Sequence, residues 1–385
     1  MPTMRGVPAP EAPADSSARA RSALVTALWP WVVSRLLVGG ALAVAHELVN
    51  GGLVSKAAEA RVRSGLLGWD AGWYETIARH GYAGAGHQSL RFFPLVPALA
   101  RAVSVVPGVG VGVSLVLIAN LSALGGTALI VALARRETGD GELARRAAWL
   151  VCLAPPAFTM VMGYAEGTLL LLSVGVFYAL RAQRWWVAAA LGLGAGLCRP
   201  IGVLLVVPAV VEGARRWRNA SRSDRAKVVA AASGPAIGFG AFLGWVQLRY
   251  GDGLAPLKIQ EEGGHRGPVA DPFTTLAHDA SYLVHGHHLG SALHLPWAVL
   301  AVCLVVVSAR KWPACYGAFA AAVVLVALTT ANLDGFERYA LSGFPLVLAG
   351  ASITSSALVE RTVLVLAGAG LVGYAVLAFV NLYVP

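Results

Sequence analysis

The stretch GWDAGWYETIARHGY, residues 68–82, sets an acid among aromatic residues just after the first long apolar run. On a helical wheel of 3.6 residues per turn, Asp70 falls between Trp73, Tyr74 and Ile77. Glu75 and Arg79 lie on the opposite side, four apart and in the favourable order for a surface ion pair. Two readings of Asp70 stay open. As a helix N-cap it would bond the amides of Gly72 or Trp73. As a functional group it would be a carboxylate held partly out of water at an interface, basic enough to accept a proton. The choice depends on which solvent that helix face meets.

The rest of the chain answers that question. Of 385 residues, 57% are hydrophobic and only 13% charged, about half the charged share of a water-soluble domain. The apolar residues gather into runs near the ~20 residues that a bilayer-crossing helix needs. We read about eleven such spans, at 23–49, 111–134, 147–163, 165–181, 185–198, 200–212, 228–249, 295–309, 313–331, 340–358 and 362–383. The expected fold is therefore all-α, a polytopic integral membrane protein. Residues 1–22, rich in Pro, Ala and Ser, read as a disordered cytoplasmic tail ahead of a transmembrane domain over 23–385.

The net charge of +10 does not point to nucleic acid, because the basic residues cluster in short breaks between spans. RRETGDGELARR (135–146), RAQR (181–184), EGARRWRNASRSDRAK (212–227), ARKW (309–312) and VER (359–361) mark the cytoplasmic side. The remaining loops, chiefly 50–110 and 250–294, then face outward. All nine histidines and most of the twenty acids fall on that outer side. SLRFFPLVPALARAVSVVP (89–107) contains an apolar run broken by Pro94 and Pro97, too short to cross, and reads as a helix lying along the interface. The 250–294 loop mixes turns with a short apolar helix and is expected to lid a site. HGHHLGSALH (285–294) lacks a carboxylate or cysteine at metal-ligand spacing and reads as a solvated loop. The four cysteines lie in or beside spans and read as reduced packing residues.

Several charges sit where structure alone gives little reason for them. Arg35 lies within the first span, either snorkelling or facing the bundle interior. Glu166 opens a span, Arg199 sits at the corner of CRPIG, and Asp334, Glu337 and Arg338 share a short loop between spans. Each has a bland explanation as a cap or a topology signal. Together with Asp70 they converge on one face of the membrane.

These residues resemble a known family. WDAGWYETIARHGY followed by RFFPLVPALAR is similar to the first luminal loop of the PIG-V mannosyltransferases, the second mannosyltransferase of glycosylphosphatidylinositol-anchor assembly, and their bacterial relatives. LAPPAFTMVMGYAEGTLLLLSVGVFYAL, GLGAGLCRPIG, PLKIQ and FERYALSGFPLVL continue the resemblance in order. It implies a GT-C-type glycosyltransferase with interfacial helices in its first extracytoplasmic loop, using a polyprenyl-phosphate sugar. Asp70 would be the general base, deprotonating an acceptor hydroxyl as it attacks C1 of mannose with inversion. Arg91, Arg199, Lys258 and Arg338 would hold the lipid phosphate, with Glu166 among the substrate-binding residues and Trp69, Trp73 and Tyr74 stacking on sugar or polyprenol. No cofactor or metal is expected. The expected partners are the lipid-linked donor, a lipid or glycan acceptor and the membrane, with no nucleic acid. An arginine-rich, lysine-poor composition suggests a GC-rich bacterial genome, hence a cell inner membrane enzyme whose acceptor is a bacterial glycolipid, polysaccharide or protein. A secondary transporter is the alternative. It would place charges at the bilayer midplane and usually shows repeated halves, neither of which is visible here.

Overall fold

Long unbroken apolar sequence becomes long helix wherever no proline pair or glycine corner interrupts it. In the computed structural model, which describes residues 13–262, 266–285 and 294–384, every regular element is helical. The first part of the chain contains α1 (Pro13–Asn50), α2 (Lys56–Ser64), α3 (Asp70–Ala85), α4 (Leu95–Val103), α5 (Val111–Thr138) and α6 (Gly141–Leu153). The middle contains α7 (Glu166–Arg181), α8 (Trp185–Cys198), α9 (Val206–Trp217), α10 (Arg222–Tyr250), α11 (Ala255–Glu261) and α12 (Pro272–His285). The last part contains α13 (Leu295–Lys311), α14 (Ala314–Leu328), α15 (Phe336–Leu341), α16 (Pro345–Ala351) and α17 (Ala357–Phe379).

Among the described residues, four helices are long and apolar enough to cross a bilayer by length and composition: Ser17–Asn50 within α1, then α5, α10 and α17. They present large apolar side chains outward, among them Leu36, Leu121, Leu248 and Val365. An unpartnered apolar exterior on that scale belongs in lipid. The chain is an integral membrane protein.

The expected count of about eleven spans is not reproduced by helix length. Proline is the main reason. Pro155 and Pro156 end α6 and turn the stretch 155–160 into a 3-10 segment, so the expected span 147–163 is broken. Pro200 separates α8 from α9 at the expected boundary between 185–198 and 200–212, and the expected span 340–358 is divided between α15 and α16. At the other end, residues 13–22, expected as disordered tail, begin α1, since alanine and arginine are good helix formers.

Packing sets the frame of the site. The tightest seam joins α8 to α10. Gly192 and Gly196 on α8 meet Gly234, Pro235 and Gly238 on α10, and a Cβ at Gly238 would stand 2.1 Å from the Leu193 carbonyl oxygen. Glycines four apart on facing helices let backbones approach this closely in a membrane. Arg35 faces the interior rather than snorkelling. Its guanidinium donates to Asn120 Oδ1 at 2.8 Å and to the Met160 carbonyl at 3.1 Å, tying α1 to α5. The four cysteines are free thiols, all buried except Cys303.

Candidate active site

The site begins at a strained residue. Gly68 is extended, Trp69 turns to φ 57° and ψ −129°, and α3 then starts at Asp70. A positive φ is unfavourable for a bulky residue and persists only where surroundings over-determine it. Here the Trp69 indole N–H donates to the Ala378 carbonyl at 2.9 Å, and the Arg61 guanidinium covers the indole at 3.8 Å. The Asp70 backbone N–H donates to the Tyr164 hydroxyl at 3.3 Å. Asp70 is thus not the N-cap. Its carboxylate accepts from Arg338 Nη1 at 2.5 Å instead. On the far side of α3 the Glu75–Arg79 pair forms as the spacing predicts, at 2.6 Å.

Arg338 reaches Asp70 because Gly335, at φ 67°, turns the chain sharply into α15. Its Nη1 also lies 3.4 Å from Glu166 Oε1, and its Nε is buried with no hydrogen-bond partner. Glu166, buried at the start of α7, accepts from Arg199 as well. Arg199 adopts an extended backbone because Pro200 follows it, which ends α8 and swings the side chain across to α7. Behind α15 stands a second buried set. His294 Nδ1 approaches Glu337 at 2.8 Å, and the Tyr383 hydroxyl donates to the same carboxylate at 2.9 Å. Asp334 lies 3.8 Å from His294 Nε2.

Asp70, Arg199 and Arg338 open onto a cavity of about 330 Å³, which Tyr74, Arg91, Arg266 and Tyr339 also line. Phe92, Phe93, Ile201 and Val326 supply an apolar wall. The 250–294 loop contributes Leu257, Gln260, Glu261, Gly267 and Val269, so it does close over the space as expected. Arg266 donates from Nη2 to the Ala327 carbonyl at 2.5 Å and to Thr330 Oγ1 at 3.0 Å. The Tyr339 ring is surrounded by guanidiniums, with Arg266 at 4.1 Å, Arg199 at 5.3 Å and Arg338 at 5.4 Å.

This clustering shapes the acid–base properties. Burial pushes the Asp70 carboxyl up, but the charge and hydrogen bond of Arg338, with Arg91 and Arg199 nearby, hold it below the usual carboxylate range. Burial likewise raises the Tyr339 phenol, yet Arg338, Arg266 and Arg199 together bring it below its ordinary value. His294 is lowered by burial and raised more strongly by Asp334 and Glu337, ending at about 9. A cavity lined by four arginines against two acids, Asp70 and Glu261, is suited to an anion.

The sequence candidates divide between this cavity and its surroundings. Asp70, Tyr74, Arg91, Arg199 and Arg338 line it. Glu166 lies behind the arginines and orients two of them. Trp69 is engaged with Ala378 and Arg61, and Trp73 stacks on Phe92 at 5.8 Å. Lys258 is exposed and pairs with Asp252 at 2.8 Å, outside the cavity. Arg266 and Tyr339 went unnamed in the sequence reading. Tyr339 lies in FERYALSGFPLVL, and for Arg266 the available signal was an arginine in a glycine-rich turn, GGHRG, of a loop expected to lid a site. Most of the histidine-rich stretch, 286–293, lies outside the described residues. Among the described residues, no three His, Cys, Asp or Glu side chains stand close enough to hold a metal ion.

Comparison with known proteins bears on this geometry. Residues 17–208 match the mannosyltransferase (PIG-V) family. The match includes Asp70, Arg91, Glu166 and Arg199, so the resemblance carried by WDAGWY and GLCRPIG stands. The match stops before Arg266 and Arg338. The crystal structure of ArnT from Cupriavidus metallidurans in the apo state is similar at 15% identity, over 81% of this chain and 71% of that one, with a TM-score of 0.46. No curated protein matches the sequence.

Proposed function

We propose that this chain transfers mannose from a polyprenyl-phosphate donor to an acceptor on the extracytoplasmic side of the cell inner membrane. The acceptor would be a glycolipid, polysaccharide or protein glycan. The supporting observation is that Asp70 and four arginines face one cavity that has an apolar wall of Phe92, Phe93, Ile201 and Val326. The acid takes the proton of the acceptor hydroxyl as that oxygen attacks C1 from the side opposite the phosphate, so the configuration at C1 inverts. Arg91, Arg199, Arg266 and Arg338 hold the phosphate, and the apolar wall receives the first isoprene units. Pre-placed cations around a leaving phosphate lower the barrier because they need no reorganisation as charge develops. Glu166 keeps Arg199 and Arg338 in position, and no metal or cofactor is called on.

The test is transfer of labelled mannose from polyprenyl-phosphate mannose by the purified full-length protein in lipid nanodiscs, using acceptor lipids from cells lacking the gene. Product that forms with wild type and not with Asp70→Asn supports the reading. No product with any acceptor fraction, from a donor shown to bind, rejects it. Cysteine labelling of residue 88 in intact cells tests the sidedness, and protection from an impermeant reagent would reverse it.

A further inference from the structure

Arg338 lines the cavity and is paired with the acid that lines it too, which sets it apart from Arg266. Its Nη1 is 2.5 Å from Asp70 Oδ2, whereas its Nε, like that of Arg266, is buried with no hydrogen-bond partner. The same guanidinium lines the cavity. Its own helix is fixed from behind, because Glu337 is clamped by His294 at 2.8 Å and Tyr383 at 2.9 Å. Arg199 already neutralises Glu166, so the main counter-charge to Arg338 is Asp70. By contrast, Arg266 is anchored to the Ala327 carbonyl and Thr330 and faces the cavity without an acid among those partners.

We infer that Arg338 is a catalytic residue that couples the base to the leaving group, paired with Asp70 before the reaction and with the departing phosphate after it. The inference rests on the polyprenyl-phosphate reading above. In the transfer step the acceptor O–H bond breaks and its proton goes to Asp70. The acceptor oxygen forms a bond to C1, and the C1–O bond to phosphate breaks with its electron pair leaving on the phosphate. Asp70 loses its negative charge in the same event that takes the phosphate from a singly charged ester toward two charges. The total charge in the cavity is unchanged, but its position moves from one side of Arg338 to the other. A cation in contact with both positions stabilises both ends of that movement in a medium where an unpaired charge is costly. It also makes the base responsive to the donor. With Arg338 drawn toward phosphate, Asp70 loses its main stabiliser and becomes a stronger base only when there is something to attack.

The groups facing Asp70 are Arg91, Tyr164, Glu166, Arg199 and Arg338, with Tyr74 from its own helix. Tyr339 adds a phenol on the cavity side. Replacing Arg338 alone should therefore release Asp70. The experiment compares Arg338→Gln, Arg338→Lys and Arg266→Gln in full-length protein in nanodiscs. For Arg338→Gln, kcat is expected to fall about 100-fold or more, and the acid limb of kcat/KM should move to higher pH. For Arg338→Lys the charge is retained, so the acid limb should stay near wild type while kcat falls less. Arg266→Gln should raise donor KM with the acid limb in place. If the Arg338→Gln loss lies wholly in donor KM and the acid limb does not move, Arg338 only binds phosphate and the inference fails. Should that variant not fold, the kcat and KM of Arg338→Lys decide by the same split.

A second arm needs no transfer. Undecaprenyl phosphate added to wild type near pH 6 should produce a protonated-carboxyl infrared band that is missing from Asp70→Asn. A wild-type protein that moves no mannose yet shows this band would reject the enzyme reading and keep the coupling. Bound undecaprenyl phosphate without the band rejects the coupling.

Discussion

The glycine seam between α8 and α10 gives the most quantitative expectation. In Gly238→Ala the new Cβ would sit 2.1 Å from the Leu193 carbonyl oxygen, whereas ordinary contact begins at 3.4 Å. The helices must part locally by roughly 1.3 Å. Overpacking of this kind costs about 1–3 kcal/mol, and alanine's better helix propensity returns up to about 1 kcal/mol. A net loss of about 1–2 kcal/mol is expected. Gly240→Ala is the internal control, on the same helix with nothing within 4 Å of the new methyl. It should be neutral or slightly stabilising. Activity should suffer more than stability, because α8 ends at Arg199, and displacing a catalytic group by about 1 Å can cost on the order of 100-fold in rate. Thermal unfolding in detergent and mannose transfer in nanodiscs measure the two effects. If Gly238→Ala unfolds and turns over like Gly240→Ala, the seam is not the constraint that the backbone distances imply.

Other expectations concern the site itself. Asp70→Asn should remain folded and lose about 10²–10⁴-fold in turnover, the range for removing a general base; wild-type turnover would demote Asp70 to a structural ion-pair partner. Because the folded carboxyl is held below its ordinary 3.8, the stability from the Asp70–Arg338 pair is present above that value and lost as pH falls through the lower folded one. A melting profile of Asp70→Asn should therefore be flatter than wild type in strong acid. His294 behaves oppositely. Its folded value of about 9 exceeds the ordinary 6.5, so its contribution is full below 6.5 and disappears as pH rises through 9. The His294→Gln variant should lose that alkaline decline in melting temperature, and an unchanged decline would assign it to another group. Trp69→Phe removes the indole donor to Ala378 and should cost about 0.5–1.5 kcal/mol by denaturation, with a larger proportional fall in turnover; equal activity would mean the kink before Asp70 is held by other contacts.

What could be read from residues alone followed the range of the interactions involved. The helix carrying Asp70 and its Glu75–Arg79 pair depends on neighbours one turn apart, and periodicity reveals those directly. Arg91, Arg199 and Arg338 were reached by sidedness and charge, and the folded chain brings all three to one cavity. Lys258 and Arg266 could not be distinguished that way. Both are single cations in a turn-rich loop, and only the return of that loop onto Thr330 and Ala327 brings Arg266 inward. The Trp69 backbone was also illegible, since no local rule places tryptophan at positive φ. Its partners, Ala378 and Arg61, are supplied by distant and neighbouring helices. The span count is not reproduced by helix length for a related reason. The break at Pro200 was legible as the boundary between 185–198 and 200–212, whereas Pro155 and Pro156 fall inside the expected span 147–163 and hydropathy registers them weakly.

The indole hook from Trp69 to Ala378 joins positions 309 apart in the chain. Arg338, the partner of Asp70, comes equally late. A ribosome that has delivered the first loop to the membrane has therefore delivered an acid with neither its backbone setting nor its counter-ion. Under the proposed function, competence would arrive only with those later helices.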